Sequence, residues 1–133
     1  MTVRVFRRMV EISGSEALWL LAGATTGRLV YVQRDSPVIR PAVHLLEYGQ
    51  LIVRTPAQGA ALTERAVLSY HVDELPAPGG AGWSVTASGP AEPVADEDEA
   101  AHYRRTLPGW LHGPHDTLLL LRPQTVTGFR LAD

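Results

Sequence analysis

The stretch VIRPAVHLLEYGQLIVRT, residues 38 to 55, decides the fold. VIRPAVHLL has strand length, QLIVRT is rich in β-branched residues, and the EYGQ between them is a short, glycine-containing hairpin connection. Along the first strand Arg40, Ala42 and His44 share one face, while Ile39, Pro41, Val43 and Leu45 share the other. An arginine and a histidine on one face either line a polar groove or simply meet water. Pro41 cannot donate to a ladder, which places it at an edge or at a kink where backbone approaches a ligand.

Working outward, further strands accumulate. RLVYVQR precedes the stretch, with DSP as the turn between them, and AVLSYHVDEL follows as a half-exposed strand. WSVTASGPAEPVA is extended, with Gly89, Pro90 and Pro93 implying a bulge or bend. TLLLLRP and VTGFRL supply the last strands. Two helices flank them. SGSEALWLLAG carries Ser13 three residues before Glu16, the capping-box spacing, and Gly23 closes it, with Leu18, Leu21 and Ala22 on one face. ADEDEAAHYRRTL has acids at its N-terminal end and Arg104 and Arg105 near its C-terminal end, both suited to the helix macrodipole. The reading is a single, mainly β antiparallel domain over residues 1–133, most economically a small barrel.

Composition narrows the partners. The net charge of -2 offers no field for nucleic acid or an anionic membrane. The longest uninterrupted apolar run, Ala17 to Ala22, is too short to span a bilayer, and the N-terminus lacks a signal-peptide core. A soluble, cytoplasmic protein is the expectation. There is no cysteine, and all 12 basic residues are arginine. Neither a thiolate nor a lysine is therefore present for nucleophilic, Schiff-base or phosphate chemistry.

Chemistry enters where the second strand ends. Arg54 and Thr55 close it, and PAQGAALTER starts a helical turn with Pro56 as its first residue. Free amides from Gln58 to Ala60, the small Gly59 and the guanidinium of Arg54 make a modest phosphate cradle. Such strand-to-helix turns are also common as plain structure.

GRLVYV, IVRT, GWSV joined to GPAEPV, and LRPQTVTG occur here in a recognisable order. With LPGWLHG they make residues 13 to 131 resemble the pyridoxamine 5'-phosphate oxidase-like family, the flavin-binding split-barrel proteins, and most of all its small actinobacterial branch of FMN- and deazaflavin-binding members. The resemblance implies a six-stranded antiparallel split barrel with flanking short helices, forming a homodimer with two cofactor sites between subunits. It also implies that the strand from Arg40 through Pro41 and Val43 to His44 runs beside the flavin ring, and that Arg54 and Thr55 contact the ring or its phosphate. Gln58 and Gly59 fall in the phosphate turn, and Trp110 reaches the partner's cofactor. Family members usually place a lysine in that turn; here Pro56, Ala57 and Gln58 align there, and no basic residue follows before Arg65.

FMN is the expected cofactor, with the 8-hydroxy-5-deazaflavin coenzyme, haem or none as alternatives. No catalytic residue is assigned. Activity on pyridoxamine phosphate itself is not expected, since a substrate with its own phosphate calls for a further basic cluster. His112 and His115 in HGPH, with His102, are not read as a metal site, because Gly-Pro between two histidines gives no facing geometry. Ser69, His71 and Asp73 alternate along one strand, about 6–7 Å apart, which is not a catalytic triad. Trp19 and Trp83 are read as core or dimer-interface aromatics. Two readings follow: an oxidoreductase passing a hydride between a flavin or deazaflavin and a small molecule, or a split barrel without flavin that binds haem, a small molecule or a protein partner.

Overall fold

The computed structural model describes residues 8–58, 62, 67–75, 81–109 and 115–132. Two helices and nine strands are found among them: β1 (Arg8–Glu11), α1 (Gly14–Gly23), β2 (Thr26–Gln33), β3 (Ser36–Glu47), β4 (Gln50–Thr55), β5 (Leu68–Glu74), β6 (Gly82–Gly89), β7 (Ala91–Pro93), α2 (Glu97–Thr106), β8 (Thr117–Leu121) and β9 (Thr125–Ala132). The strands form one sheet in the order β1-β9-β6-β5-β2-β3-β4-β8-β7. Every neighbouring pair is antiparallel.

The chain is thus mainly β, as expected, but with nine paired strands where the resemblance implies six. Two of them are short edge pieces. Arg8–Glu11, not read as a strand, pairs with β9. Pro90 divides the extended segment in two, so that Ala91–Pro93 pairs with β8 while β6 pairs with β5 and β9. The expected bend is a close backbone crossing: a Cβ on Gly89 would stand 1.9 Å from the Arg122 carbonyl oxygen. Only glycine leaves room for it.

Both hairpins around β3 use two-residue turns with positive φ, the type whose twist matches that of the sheet. Glu47 faces Gln50 across Tyr48 (φ 52) and Gly49 (φ 76), as read from EYGQ. The other turn is Arg34 (φ 51) and Asp35 (φ 62), one residue earlier than DSP suggested, with Ser36 and Pro37 already in β3.

Alternation sorts the side chains into two clusters. The larger includes Leu21, Leu29, Val53, Tyr70, Val85 and Leu121, packed beneath α1. The smaller lies on the opposite face, where Val43, Ile52, Leu107 and Leu118 meet Ala100 and Tyr103 of α2. Ser13 caps α1 through the Glu16 amide (3.1 Å), and Asp96 caps α2 through the amides of Asp98 and Glu99 (both 2.9 Å). The Glu16 carboxylate is held by Arg130 of β9. Helix α1 buries Ala17, Leu20 and Leu21 rather than Leu18, Leu21 and Ala22, a face rotated by about one position. Trp83 is a core residue; Trp19 is not, being 71% exposed.

Tyr48 is fully exposed while holding a left-handed backbone that disfavours its Cβ. Tyr48→Asn is expected to stabilise the protein by up to about 1 kcal/mol, read as a higher denaturant midpoint at unchanged slope; a lower midpoint would refute the assignment of strain.

Candidate cofactor site

Strand β3 changes partners part-way along. Residues from Ser36 to Val43 face β2, and those from Val43 to Glu47 face β4. Before Val43 the edge turned towards β4 has no ladder among the described residues, and Pro41 sits on that edge. In an extended strand the N–H and C=O of one residue point to the same side. The donor that Pro41 lacks therefore falls where no ladder needs it, and its carbonyl takes a hydrogen bond from Thr55 Oγ1 at 3.0 Å. Thr55 is completely buried and so braces the open edge from β4.

The turn after β4 is pinned from β8. Thr117 Oγ1 donates to the Ala57 carbonyl at 2.6 Å, and Ala57 is buried while Gln58 is exposed. Pro56 and Ala57 form a bend, so no helix begins at Pro56. Gly59, Ala60, Arg65, Trp110 and His112 lie outside the described residues. Arg40 is exposed, its Nη1 donating to the neighbouring Ile39 carbonyl at 3.1 Å. Val43 is buried beneath α2.

His44 belongs to the core rather than to a groove. It is 2% exposed, and both ring nitrogens are used: Nε2 lies 2.9 Å from the Leu21 carbonyl oxygen and Nδ1 2.6 Å from the Tyr70 hydroxyl. A carbonyl only accepts, so Nε2 carries the hydrogen, and Nδ1 of the neutral ring accepts from Tyr70. Burial lowers the His44 pKa, against a smaller upward pull from the Leu21 carbonyl. Burial also raises the Tyr70 pKa, keeping the hydroxyl a donor. A Cβ on Gly27 would meet the Tyr70 ring at 2.6 Å, so the strand beneath must be bare there. Of the expected face, Arg40 and His44 do not converge.

Arg54 does something the sequence reading did not foresee. Its Nε and Nη2 each donate to Asp116 at 2.8 Å, a forked pair, and Nη1 donates to the carbonyls of Leu107 (2.6 Å) and Arg104 (3.1 Å). Arg104 Nη2 donates to the Asp116 carbonyl at 3.0 Å. One guanidinium thus caps the C-terminal end of α2 and ties it to the start of β8. Its hydrogen bond to Asp116 raises the Arg54 pKa, and the same bond lowers that of Asp116. Asp116 and Thr117 gave no signal in the sequence, because their roles depend on partners 60 or more residues away.

Residues 13–130 match the family described as pyridoxamine 5'-phosphate oxidase. The chain belongs to that family. It is 35% identical, over 132 residues, to an uncharacterized protein of Mycobacterium tuberculosis (strain H37Rv), covering 94% of this chain and 87% of that one. Among solved structures it resembles the FAD binding protein from Mycobacterium smegmatis, with a TM-score of 0.66 and 24% identity over 97% of this chain and 100% of that one. It also resembles a heme binding protein from the same species, with a TM-score of 0.62 and 19% identity over 85% of this chain and 52% of that one. At these identities the likeness to the two structures is one of fold.

Two outcomes test the site's architecture. Because the folded-state pKa of His44 is lowered, its contribution to stability is complete above the unfolded value of 6.5 and is lost as pH falls below it. Denaturant unfolding from pH 8 to 5 should show this loss, at no more than about 1.4 kcal/mol per pH unit, and His44→Gln should flatten it. Arg54→Gln removes the guanidinium from the Arg104 and Leu107 carbonyls and from the Asp116 carboxylate and is expected to cost about 1.5–3 kcal/mol; an unchanged thermal midpoint would overturn the capping role.

Proposed function

We propose that the protein is a flavin- or deazaflavin-dependent oxidoreductase acting as a homodimer on a small molecule, with the cofactor ring along the open edge of β3. The observation that carries this reading is that edge itself: main chain at Pro41 without a ladder among the described residues, braced by Thr55, beside the turn at Pro56 to Gln58, in a chain of the pyridoxamine 5'-phosphate oxidase family. Arg40 and the main chain from Pro41 to Val43 would lie against the ring, with Gln58 at the phosphate end. When bound, a flavin supplies hydride transfer, so the protein's task is to bind, orient and exclude water.

The fit is uneven. The ring edge suits a flat heterocycle, whereas the phosphate end is weak. Arg54 is already engaged with Asp116 and two carbonyls, and the Asp116 carboxylate adds a negative charge nearby. A phosphate there relies on main-chain amides of the turn. Loss of one charge-assisted contact, about 1.5–3 kcal/mol, weakens binding by roughly ten- to a hundredfold. This engagement of Arg54 also favours the second reading, a dimer that holds haem or another apolar ring without a phosphate.

Fluorescence titrations with FMN, FAD and a deazaflavin, with haem followed by absorbance, separate the two. Flavin or deazaflavin binding supports the oxidoreductase; haem alone supports the second reading; flavin silence to high micromolar concentration sinks the first. Gln58→Lys restores a cation to the turn and is expected to tighten FMN by about ten- to a hundredfold while leaving riboflavin unchanged. Equal effects on both would exclude the turn as a phosphate seat.

A further inference from the structure

Pro41 continues into a row of functional side chains across the sheet. Arg28 of β2 faces Pro41, His71 of β5 faces Arg28, and Thr86 of β6 faces His71. Side chains directly opposite in an antiparallel ladder share a face, with Cβ atoms about 4.5–5.5 Å apart. The row therefore leads from the open β3 edge to a titratable group two strands away.

That group is held on both sides. His71 Nε2 lies 2.8 Å from Asp73 Oδ2, and Nδ1 lies 3.0 Å from Thr86 Oγ1. The third member of the β5 face, Ser69, turns instead to Ser88 at 2.8 Å. Alternation along β5 thus does not make a triad, as the sequence suggested, but the cross-strand partner supplies the second contact to the imidazole. Ser84 Oγ is a more distant neighbour of Nε2, at 3.5 Å.

Arg28 stands between this pair and Pro41. Its side chain is 56% exposed, and its contact among the described residues is a long one, 3.5 Å from Nη1 to Asp73 Oδ2. Most of its donors therefore point at nothing in the described protein. Arg28, Pro41, His71 and Asp73 line one cavity of about 250 Å³. It is small, and among the described residues its one guanidinium is that of Arg28. The contrast is a cavity of about 480 Å³ beside α2, whose charged lining residues are Glu47, Glu92, Asp96 and Glu99.

We propose that this cavity is the acceptor end of the site, where Arg28 holds the carboxylate of a small 2-oxo acid and His71 supplies the proton to its carbonyl oxygen. The assignment rests on the oxidoreductase reading. Arg28 and His71 are lateral neighbours that share Asp73, so they present a cation and an acid to adjacent groups of one small molecule. The Asp73 carboxylate accepts from Nε2 and so orients the ring. The step balances: the carbonyl carbon takes a hydride from the reduced cofactor, and the C–O π pair becomes a lone pair on oxygen. That oxygen takes the proton from His71. The ketone is reduced to an alcohol, the cofactor is oxidised, and solvent reprotonates the imidazole.

Two arms keep the pocket and the cofactor reading apart. In the protein as isolated, with histidine and arginine side chains labelled with 15N, pyruvate is titrated to 50 mM. Saturable shifts of the His71 ring and the Arg28 side-chain resonances, abolished by Arg28→Gln, are expected; no shift at either would overturn the pocket whatever the cofactor does. In cofactor-loaded protein, single-turnover oxidation of the reduced cofactor by pyruvate is followed by absorbance. His71→Gln should slow the maximal rate by roughly 10²-fold or more, while Arg28→Gln should chiefly raise the pyruvate concentration for half-maximal rate. Normal rates in both variants would overturn the assigned roles while leaving the oxidoreductase standing. Failure to bind any flavin or deazaflavin, with the pyruvate shifts intact, would instead remove the redox reading and leave an anion pocket.

Discussion

The architecture hangs on one buried imidazole. His44 joins β3 to the last turn of α1 through the Leu21 carbonyl and to β5 through the Tyr70 hydroxyl, and it does so inside the core, where an unmade hydrogen bond costs far more than at the surface. All three groups have to be in register at once. Leu21 O is presented only if α1 ends where it does, Tyr70 reaches only if β2 is bare at Gly27, and His44 points inward only if β3 keeps its alternation. Because β3 is held there, its preceding segment is held too, and that segment carries the open edge at Pro41.

A second polar knot does the same work on the opposite face. Helix α2 buries no residue completely, so apolar packing alone gives it a weak hold on the sheet. Arg54 supplies the rest by capping the α2 end while forking onto Asp116. Tyr103 adds a contact from the middle of the helix to Glu47 at 2.9 Å. The two knots share a ladder: Arg54 faces Val43, the residue before His44. Adjacent positions of one strand thus anchor two helices on two faces, which fixes the bend where β3 exchanges β2 for β4.

What could be read from the chain follows from the range of each interaction. Strand and helix positions, the EYGQ hairpin and the Ser13 N-cap are local matters, settled by alternation, turn chemistry and residues within three or four positions. The pyridoxamine 5'-phosphate oxidase resemblance rested on ordered stretches of that kind. Local pattern could not reveal which face of β3 is inside. Arg40 and His44 share a parity, yet one reaches solvent at the strand's free half and the other is sealed beneath α1. Nor could it distinguish an arginine awaiting phosphate from one already committed, since Asp116 is 62 residues distant. The strand count differed for a similar reason: edge pairing of four- and three-residue segments depends on neighbours rather than on propensity.

With no lysine, every cation is a guanidinium, and each guanidinium put to structural use is withdrawn from chemistry. Arg54 and Arg130 are spent in this way on helix ends, and Arg122 pairs with Glu92 at 2.8 Å. Arg28 is different, because its contact with Asp73 is long and its side chain remains mostly exposed. A protein with no thiol and no amine cannot offer a strong side-chain nucleophile of either kind, so covalent chemistry through these groups is closed to it. What this polar face does offer is a positioned charge beside an oriented imidazole, next to a main-chain edge that has no ladder among the described residues. Such a set can hold a small anion and move a proton, which is the share of a two-electron reduction that a protein must provide when a bound heterocycle carries the hydride.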